Sequence, residues 1–197
     1  MSSVIFENPE GGLNFLKIFA SSALWLCLIP CFWIIITKQS LRDYGVRFGE
    51  NLCFGVKILM LYLVSLLILF AAARFLFPSI YDAFSDPYGM PEPRKSVVAF
   101  CVFLALLLAY FSMVEFFFRG FLFFALKKIF SDWTALSIAM IPYVLAHVSQ
   151  GLWPTIGSIA FALFSGISVM RTHTVIWAIL MHWSLNILIF VNLTWLR

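Results

Sequence analysis

The chain has 197 residues, of which 63% are hydrophobic, 11% are charged and 23 are phenylalanines. This apolar share lies far above the roughly 45 to 50% of soluble domains, which excludes an ordinary water-soluble globular protein. The net charge of +4 comes mainly from short segments between apolar runs, so it bears on membrane orientation and gives no basic patch for nucleic acid.

About six apolar runs, each near the ~20 residues that cross a hydrocarbon core, predict an all-α polytopic transmembrane helix bundle. In chain order they are about Leu13 to Thr37, Leu52 to Phe77, Val97 to Leu126, Thr134 to Val148, Pro154 to Met170 and Thr174 to Trp195. The polar stretches between them are too short for a separate soluble domain. We therefore expect one integral membrane domain over residues 1–197, with its polar core in 97–195.

Proline, glycine and helix-capping residues predict where some of these helices bend, begin or end. Pro30 predicts a kink or local break in the first run, and the proline-rich segment 78–95 predicts a loop. Ser131 with Asp132 predicts the start of the fourth helix, and Gly151 predicts the turn that precedes the fifth.

Basic residues in the short loops predict the orientation. Six follow the first, third and fifth runs: Lys38, Arg42, Arg47, Lys127, Lys128 and Arg171. The opposite side carries four: Arg74, Arg94, Lys95 and Arg197. The positive-inside rule then predicts that both termini lie outside the cytoplasm.

A few ionisable side chains interrupt three of the apolar runs. Glu115 is the only acidic residue within any run and precedes Arg119 by one turn, while His147 and His182 lie in two other runs. At 1.5 Å per residue, Glu115, His147, His182 and Asn186 lie about 18, 20, 12 and 18 Å from the cytoplasmic helix ends. Ionisable groups at this depth are costly and usually functional, so we expect these side chains to line one cavity.

Such a set of side chains is suited to hydrolysis of an amide. A carboxylate beside a neutral imidazole can deprotonate water, and histidine and asparagine can donate hydrogen bonds to the oxyanion that forms. Two histidines with a glutamate are also a common zinc set, but the HExxH pairing is absent and Arg119 would oppose a nearby cation. We expect a reaction without a cofactor, and zinc remains the alternative.

Three motifs in this order resemble the CAAX protease and bacteriocin-processing family. The stretch from Glu115 to Gly120 is similar to its first motif, usually two adjacent glutamates, three variable residues and arginine. Tyr143 followed by His147 resembles the second motif, and His182 followed by Asn186 resembles the third.

The resemblance implies an α-helical glutamic-type intramembrane endopeptidase of a prokaryotic cell membrane. In the family scheme the glutamate and the second-motif histidine, here His147, activate water, and His182 with Asn186 forms the oxyanion hole. Arg119 has a supporting role. The chain departs from the pattern at Val114, where the family has its first glutamate. Glu115 is therefore either a substitute base or the partner of Arg119.

Other interpretations stay open beside the peptidase, whose substrate would be a peptide or a membrane-anchored protein. Glu115 and Arg119 can form a purely structural ion pair, and His182 with Asn186 can hold helices together. A catalytically degenerate relative would instead bind a membrane partner as an immunity or regulatory protein. A proton-linked carrier would also contain a buried carboxylate and histidines, although no internal repeat supports it.

Overall fold

The computed structural model describes residues 9–76 and 96–195 of the chain, and these residues form helices joined by short turns. The loop predicted over 78–95 lies outside the described residues. We number six helical segments in chain order. They are α1 (Pro9–Ser22, a π-helical turn Ala23–Leu28, then Ile29–Ile36), α2 (Leu52–Leu76), α3 (Val97–Glu115, a π-helical turn Phe116–Leu122, then Phe123–Leu126), α4 (Asp132–Leu145), α5 (Leu152–Thr172) and α6 (Ile176–Trp195).

Four of these segments are long and apolar enough to cross a membrane, and α6 contains a shorter apolar helix. The spans are Leu13–Ile36, Leu52–Leu76, Val97–Leu126 and Leu152–Thr172, and the shorter helix is Ile176–Phe190. Helix α4 has 14 residues, about 21 Å of helix, and is therefore shorter than a full crossing. The prediction of an all-α polytopic bundle is confirmed. The chain is an integral membrane protein.

Two predicted boundaries agree with the structure. The Ser131 hydroxyl accepts a hydrogen bond from the backbone N–H of Thr134 at 3.4 Å, so it caps the start of α4 as predicted. Gly151 has φ of 109° and directly precedes α5, which confirms the turn predicted at this glycine.

Helix α1 continues through Pro30 instead of breaking there. Its π-helical turn, Ala23–Leu28, ends two residues before the proline. A proline ring clashes with the carbonyl four residues earlier, here that of Leu26, and this carbonyl lies within the wider π turn. The distortion predicted from Pro30 therefore takes the form of a widened turn.

Helices α3 and α6, which carry predicted site residues, pack side by side. Helix α3 runs antiparallel to α6, because Phe103 contacts Phe190 at 5.7 Å between ring centroids and Phe111 contacts His182 at 4.0 Å. Their ends meet where Gly120 contacts Val175.

Helix α2 runs parallel to α6 and begins at the same end of the bundle. The turns that precede the two helices are joined by a hydrogen bond from the N–H of Val175 to the carbonyl of Gly45, 3.1 Å long. At the start of the helices, Gly55 lies so close to Trp177 that a Cβ on the glycine would be 2.1 Å from the indole. The two helices therefore start at the same level.

One apolar cluster lies between α2, α5 and α6 and extends to α3 and α4. Helix α2 contributes a buried stripe at every fourth residue: Ile58, Tyr62, Leu66 and Phe70. The other helices contribute Val114, Tyr143, Phe161, Ala162 and Met181. The ionisable residues of α3 and α6 lie beside this cluster and are therefore enclosed by the protein core.

Candidate active site

Helix α3 contains a π-helical turn that keeps its polar residues on the buried face. Its buried side chains recur at every fourth position: Ala99, Phe103, Leu107, Phe111, Glu115, Arg119 and Phe123. In an α-helix a step of four residues overshoots one turn by about 40°, so such a series would drift around the helix. The π turn Phe116–Leu122 holds more residues per turn and reverses this drift. Glu115 and Arg119 therefore both face the interior.

Glu115 is fully buried and its carboxylate is held by two partners. Its Oε1 atom lies 2.6 Å from Nδ1 of His182, and its Oε2 atom lies 3.3 Å from Nε of Arg119. The exposed fraction of its side chain is 0%. A buried charge is tolerated only when it is paired, and the guanidinium provides a buried partner of opposite charge for this carboxylate.

The ring of His182 is fixed in plane and in tautomer. Its Nδ1–H donates to the Glu115 carboxylate, which has only acceptor atoms, so Nε2 of the neutral ring carries the free lone pair. Phe111 stacks on the ring at 4.0 Å and Phe161 contacts it at 4.6 Å. A carboxylate that orients an imidazole in this way favours proton abstraction at the opposite nitrogen.

Arg119 is tied to aromatic rings as well as to Glu115. Its guanidinium carbon lies 3.9 Å from the centroid of Tyr143 and 5.2 Å from that of Phe161. Only 3% of the residue is exposed. Cation–π contacts of this kind are strongest when the charge is desolvated, so Tyr143 helps to hold the arginine beside the carboxylate.

His147 lies just beyond the end of α4, which corrects the predicted end of the fourth run at Val148. The helix ends at Leu145, because the backbone N–H of His147 bonds to the carbonyl of Val144 at 2.9 Å. The Tyr143 carbonyl is thereby freed, and the ring Nδ1–H of His147 donates to it at 2.8 Å. The Nε2 atom of this half-buried histidine is therefore an acceptor.

Tyr143 joins the two histidines. Its ring centroid lies 4.8 Å from that of His147 and 6.4 Å from that of His182. The structure thus gathers Glu115, Arg119 and His182 into one hydrogen-bonded group, and His147 reaches this group through the tyrosine ring rather than through a bond to the carboxylate.

Asn186 lies one turn beyond His182 on α6 and is half-buried. Its Nδ2 atom donates to the His182 backbone carbonyl at 3.0 Å. A primary amide has two N–H donors, so one donor and the Oδ1 acceptor remain for another partner.

Val114 occupies apolar surroundings where the family motif has its first glutamate. It is 7% exposed and belongs to the same cluster as Tyr62, Tyr143 and Met181. Both Val114 and Glu115 are buried, but only Glu115 has ionic partners.

The described residues hold no group of three or more histidine, cysteine, aspartate or glutamate side chains that could bind a metal ion. The guanidinium of Arg119 also lies beside the Glu115 carboxylate, where a cation would be repelled. The expectation of a reaction without a cofactor stays a prediction.

Three features of the site were not found from the sequence. They are the π turn after Glu115, the stacking of Phe111 on His182, and the buried tyrosine of α2, Tyr62. The repeat of apolar residues at every fourth position in α3 was the available signal for the π turn.

Residues 94–188 match the family model described as Type II CAAX prenyl endopeptidase Rce1-like. This segment is similar to the Rce1-like family. The match confirms the resemblance stated from the motifs, and the Rce1-like segment contains Glu115, Arg119, His147, His182 and Asn186. A CAAX-type intramembrane protease is the kind of function that this family supports. Comparisons with curated proteins and with solved structures gave no match.

Proposed function

We propose that the protein is an intramembrane endopeptidase in which His182, oriented by Glu115, activates the attacking water. The 2.6 Å contact between His182 Nδ1 and Glu115 Oε1 carries this proposal. It lies inside the Rce1-like segment and leaves Nε2 of the histidine as a free base.

The proposed reaction has two steps. Nε2 of His182 accepts a proton from water while the water oxygen bonds to the scissile carbonyl carbon, and the carbonyl electron pair moves onto its oxygen. The free N–H of Asn186 donates to this oxyanion. The oxyanion then re-forms the carbonyl, the carbon–nitrogen bond breaks, and the imidazolium returns its proton to the leaving amine. One water is consumed, and a carboxylic acid and an amine are released.

These roles keep the water chemistry predicted from the sequence but move the proton acceptor from Glu115 to His182. The resemblance had implied that His182 forms the oxyanion hole together with Asn186. A carboxylate that is 0% exposed and held at 3.3 Å by Arg119 is better suited to orienting a base than to contacting substrate. The half-buried His147 offers a second acceptor nitrogen beside Tyr143, where it can hold the attacking water.

The proposed substrate is a peptide or protein anchored in the bilayer. The name of the matching family refers to prenylated CAAX peptides, so a peptide whose cysteine carries a prenyl chain is the first substrate to test. We further propose that the protein resides in a prokaryotic cell membrane with both termini outside the cytoplasm, because the basic loops favour this orientation.

A second candidate function is that of a catalytically degenerate relative that binds a membrane partner as an immunity or regulatory protein. The apolar surroundings of Val114 favour it, because the family's first carboxylate has no counterpart there.

One experiment separates the two functions. Purified protein in proteoliposomes is given a quenched fluorescent peptide with a farnesylated cysteine, and the same peptide without the farnesyl chain. We expect the wild type and the control His173→Asn, which changes a loop histidine, to cleave the farnesylated peptide, whereas His182→Ala does not. Asparagine suits position 173 because the residue there has φ of 53°. Absence of cleavage by the wild type would favour the degenerate relative.

A further inference from the structure

The hydroxyl of Tyr62 in α2 is buried in the protein interior. The residue is 3% exposed, and its hydroxyl oxygen has no hydrogen-bond partner within the described part of the chain. The Nη2 atom of Arg119 is also buried and has no hydrogen-bond partner among the described residues. Buried polar groups are almost always bonded, so such a hydroxyl calls for a functional explanation.

The register of α2 and α6 brings Tyr62 to the depth of the catalytic group. The two helices run parallel, and Gly55 lies against Trp177 near their start. Counting seven residues, about two turns, from this contact along each helix brings Tyr62 to about the level of Ser184. This level lies between His182 and Asn186, the proposed base and the proposed oxyanion donor.

Packing contacts connect Tyr62 to the same residues. Its ring meets Phe161 edge-on with centroids 6.1 Å apart, and Phe161 contacts His182 at 4.6 Å. Tyr62 also shares an apolar cluster with Val114, which precedes Glu115, and with Met181, which precedes His182. The hydroxyl thus belongs to the surroundings of the carboxylate and the imidazole.

We propose that Tyr62 is a further catalytic residue whose hydroxyl donates a hydrogen bond to the oxyanion, alongside Asn186. A phenolic O–H is among the donors used for this purpose. Within the described residues this hydroxyl has no hydrogen bond that would have to break before it could act. The hydroxyl keeps its proton, so the balance of the proposed reaction is unchanged. This inference rests on the proposed function, but it concerns α2, which lies outside the Rce1-like segment.

The test compares Tyr62→Phe with a matched control, Tyr44→Phe. Tyr44 is also buried, but its hydroxyl bonds to Gln39 at 2.5 Å in the turn that follows α1. The probe is a phosphinic analogue of the farnesylated peptide, in which a tetrahedral, anionic phosphorus group replaces the scissile amide. Its dissociation constant is measured for the purified full-length proteins in detergent micelles, and kcat and KM are measured with the peptide itself.

We expect Tyr62→Phe to weaken phosphinate binding by roughly 10- to 100-fold and to lower kcat by roughly 100-fold with little change in KM. Its melting temperature should not fall, because the lost hydroxyl bonds to none of the residues that the structure describes. Tyr44→Phe should bind the phosphinate like the wild type.

Equal phosphinate affinity of the wild type and Tyr62→Phe would overturn the inference, even if the wild type is an active peptidase. Failure of the wild type to bind the phosphinate would also overturn it. If the wild type binds the phosphinate through Tyr62 but cleaves no peptide, the proposed function fails and the oxyanion contact stands.

Discussion

Glu115 and His182 are 67 residues apart in the chain and are joined by a hydrogen bond of 2.6 Å between helices α3 and α6. The bond connects the lone acidic residue of the membrane spans to a histidine that is itself packed between Phe111 and Phe161. Because the carboxylate is also paired with Arg119, one buried group supports both the packing of α3 on α6 and the proposed chemistry.

Replacing Glu115 by Gln should abolish most of the activity and reduce stability. The neutral amide no longer fixes the tautomer of His182, and loss of such a carboxylate lowers kcat by about 10⁴-fold in serine proteases. Arg119 also loses its buried counter-charge, which costs about 3–5 kcal/mol. Rates of peptide cleavage and thermal unfolding in detergent measure the two effects.

The double variant Glu115→Gln, Arg119→Gln serves as the control for charge. Removing both charges should restore much of the stability but none of the activity. Wild-type cleavage by Glu115→Gln would contradict the role of the carboxylate.

His147→Gln should lower activity while leaving the fold intact. The side chain is half-buried and donates one hydrogen bond to the Tyr143 carbonyl at the end of α4. Loss of this bond should change the free energy of unfolding by less than about 1 kcal/mol. Misplacing the attacking water costs about 10²-fold in rate. Steady-state cleavage beside the His173→Asn control measures the loss, and an unchanged rate would remove His147 from the site.

Val114→Glu should destabilise the protein and accelerate cleavage. A carboxylate in this apolar cluster costs about 2.5–3.5 kcal/mol, but it restores the acidic pair of the family motif, and a general base contributes about 10²-fold or more. Val114→Gln has the same shape without the charge, so it should be destabilised with no gain in rate. Equal rates for the two variants would show that a carboxylate at this position is not a base.

Gly120→Ala should destabilise one end of the bundle. The basic loops predict that this end faces the cytoplasm. A Cβ at Gly120 would lie 2.8 Å from the Tyr44 carbonyl oxygen, a backbone atom that can move only if the Leu41–Tyr44 turn shifts. Overpacking of this kind costs about 1–3 kcal/mol. Gly157→Ala in α5 is the matched control, since its Cβ would meet no atom within 4 Å and alanine favours the helix by up to about 1 kcal/mol. Thermal unfolding of both variants should move in opposite directions.

Incubation with a metal chelator should leave peptide cleavage unchanged. The proposed base is an imidazole held by a carboxylate, and the Arg119 guanidinium beside that carboxylate disfavours a bound cation. The measurement is the cleavage rate before and after treatment with EDTA, with added zinc as a reference. Loss of activity that zinc restores would reinstate the metal alternative.

The sequence by itself determined the membrane class, the helical bundle and the positions of most helices. Contact with lipid requires long apolar runs, and each such run must satisfy its own backbone hydrogen bonds as a helix, so composition and local capping residues such as Ser131 were sufficient. The order and spacing of the three polar motifs also pointed to the family that matches residues 94–188.

Only the tertiary structure decided the partner of Glu115. Reasoning from an ideal helix left its carboxylate either with a water-activating histidine or with Arg119, whereas the packed helices join it to both Arg119 and His182. The π turn after Glu115, the early end of α4 at Leu145 and the level of Tyr62 depend on how neighbouring helices pack. Contacts between distant segments determine which way a side chain faces around its helix and how deep it lies relative to residues of neighbouring helices. The sequence pattern of a single segment does not contain these contacts.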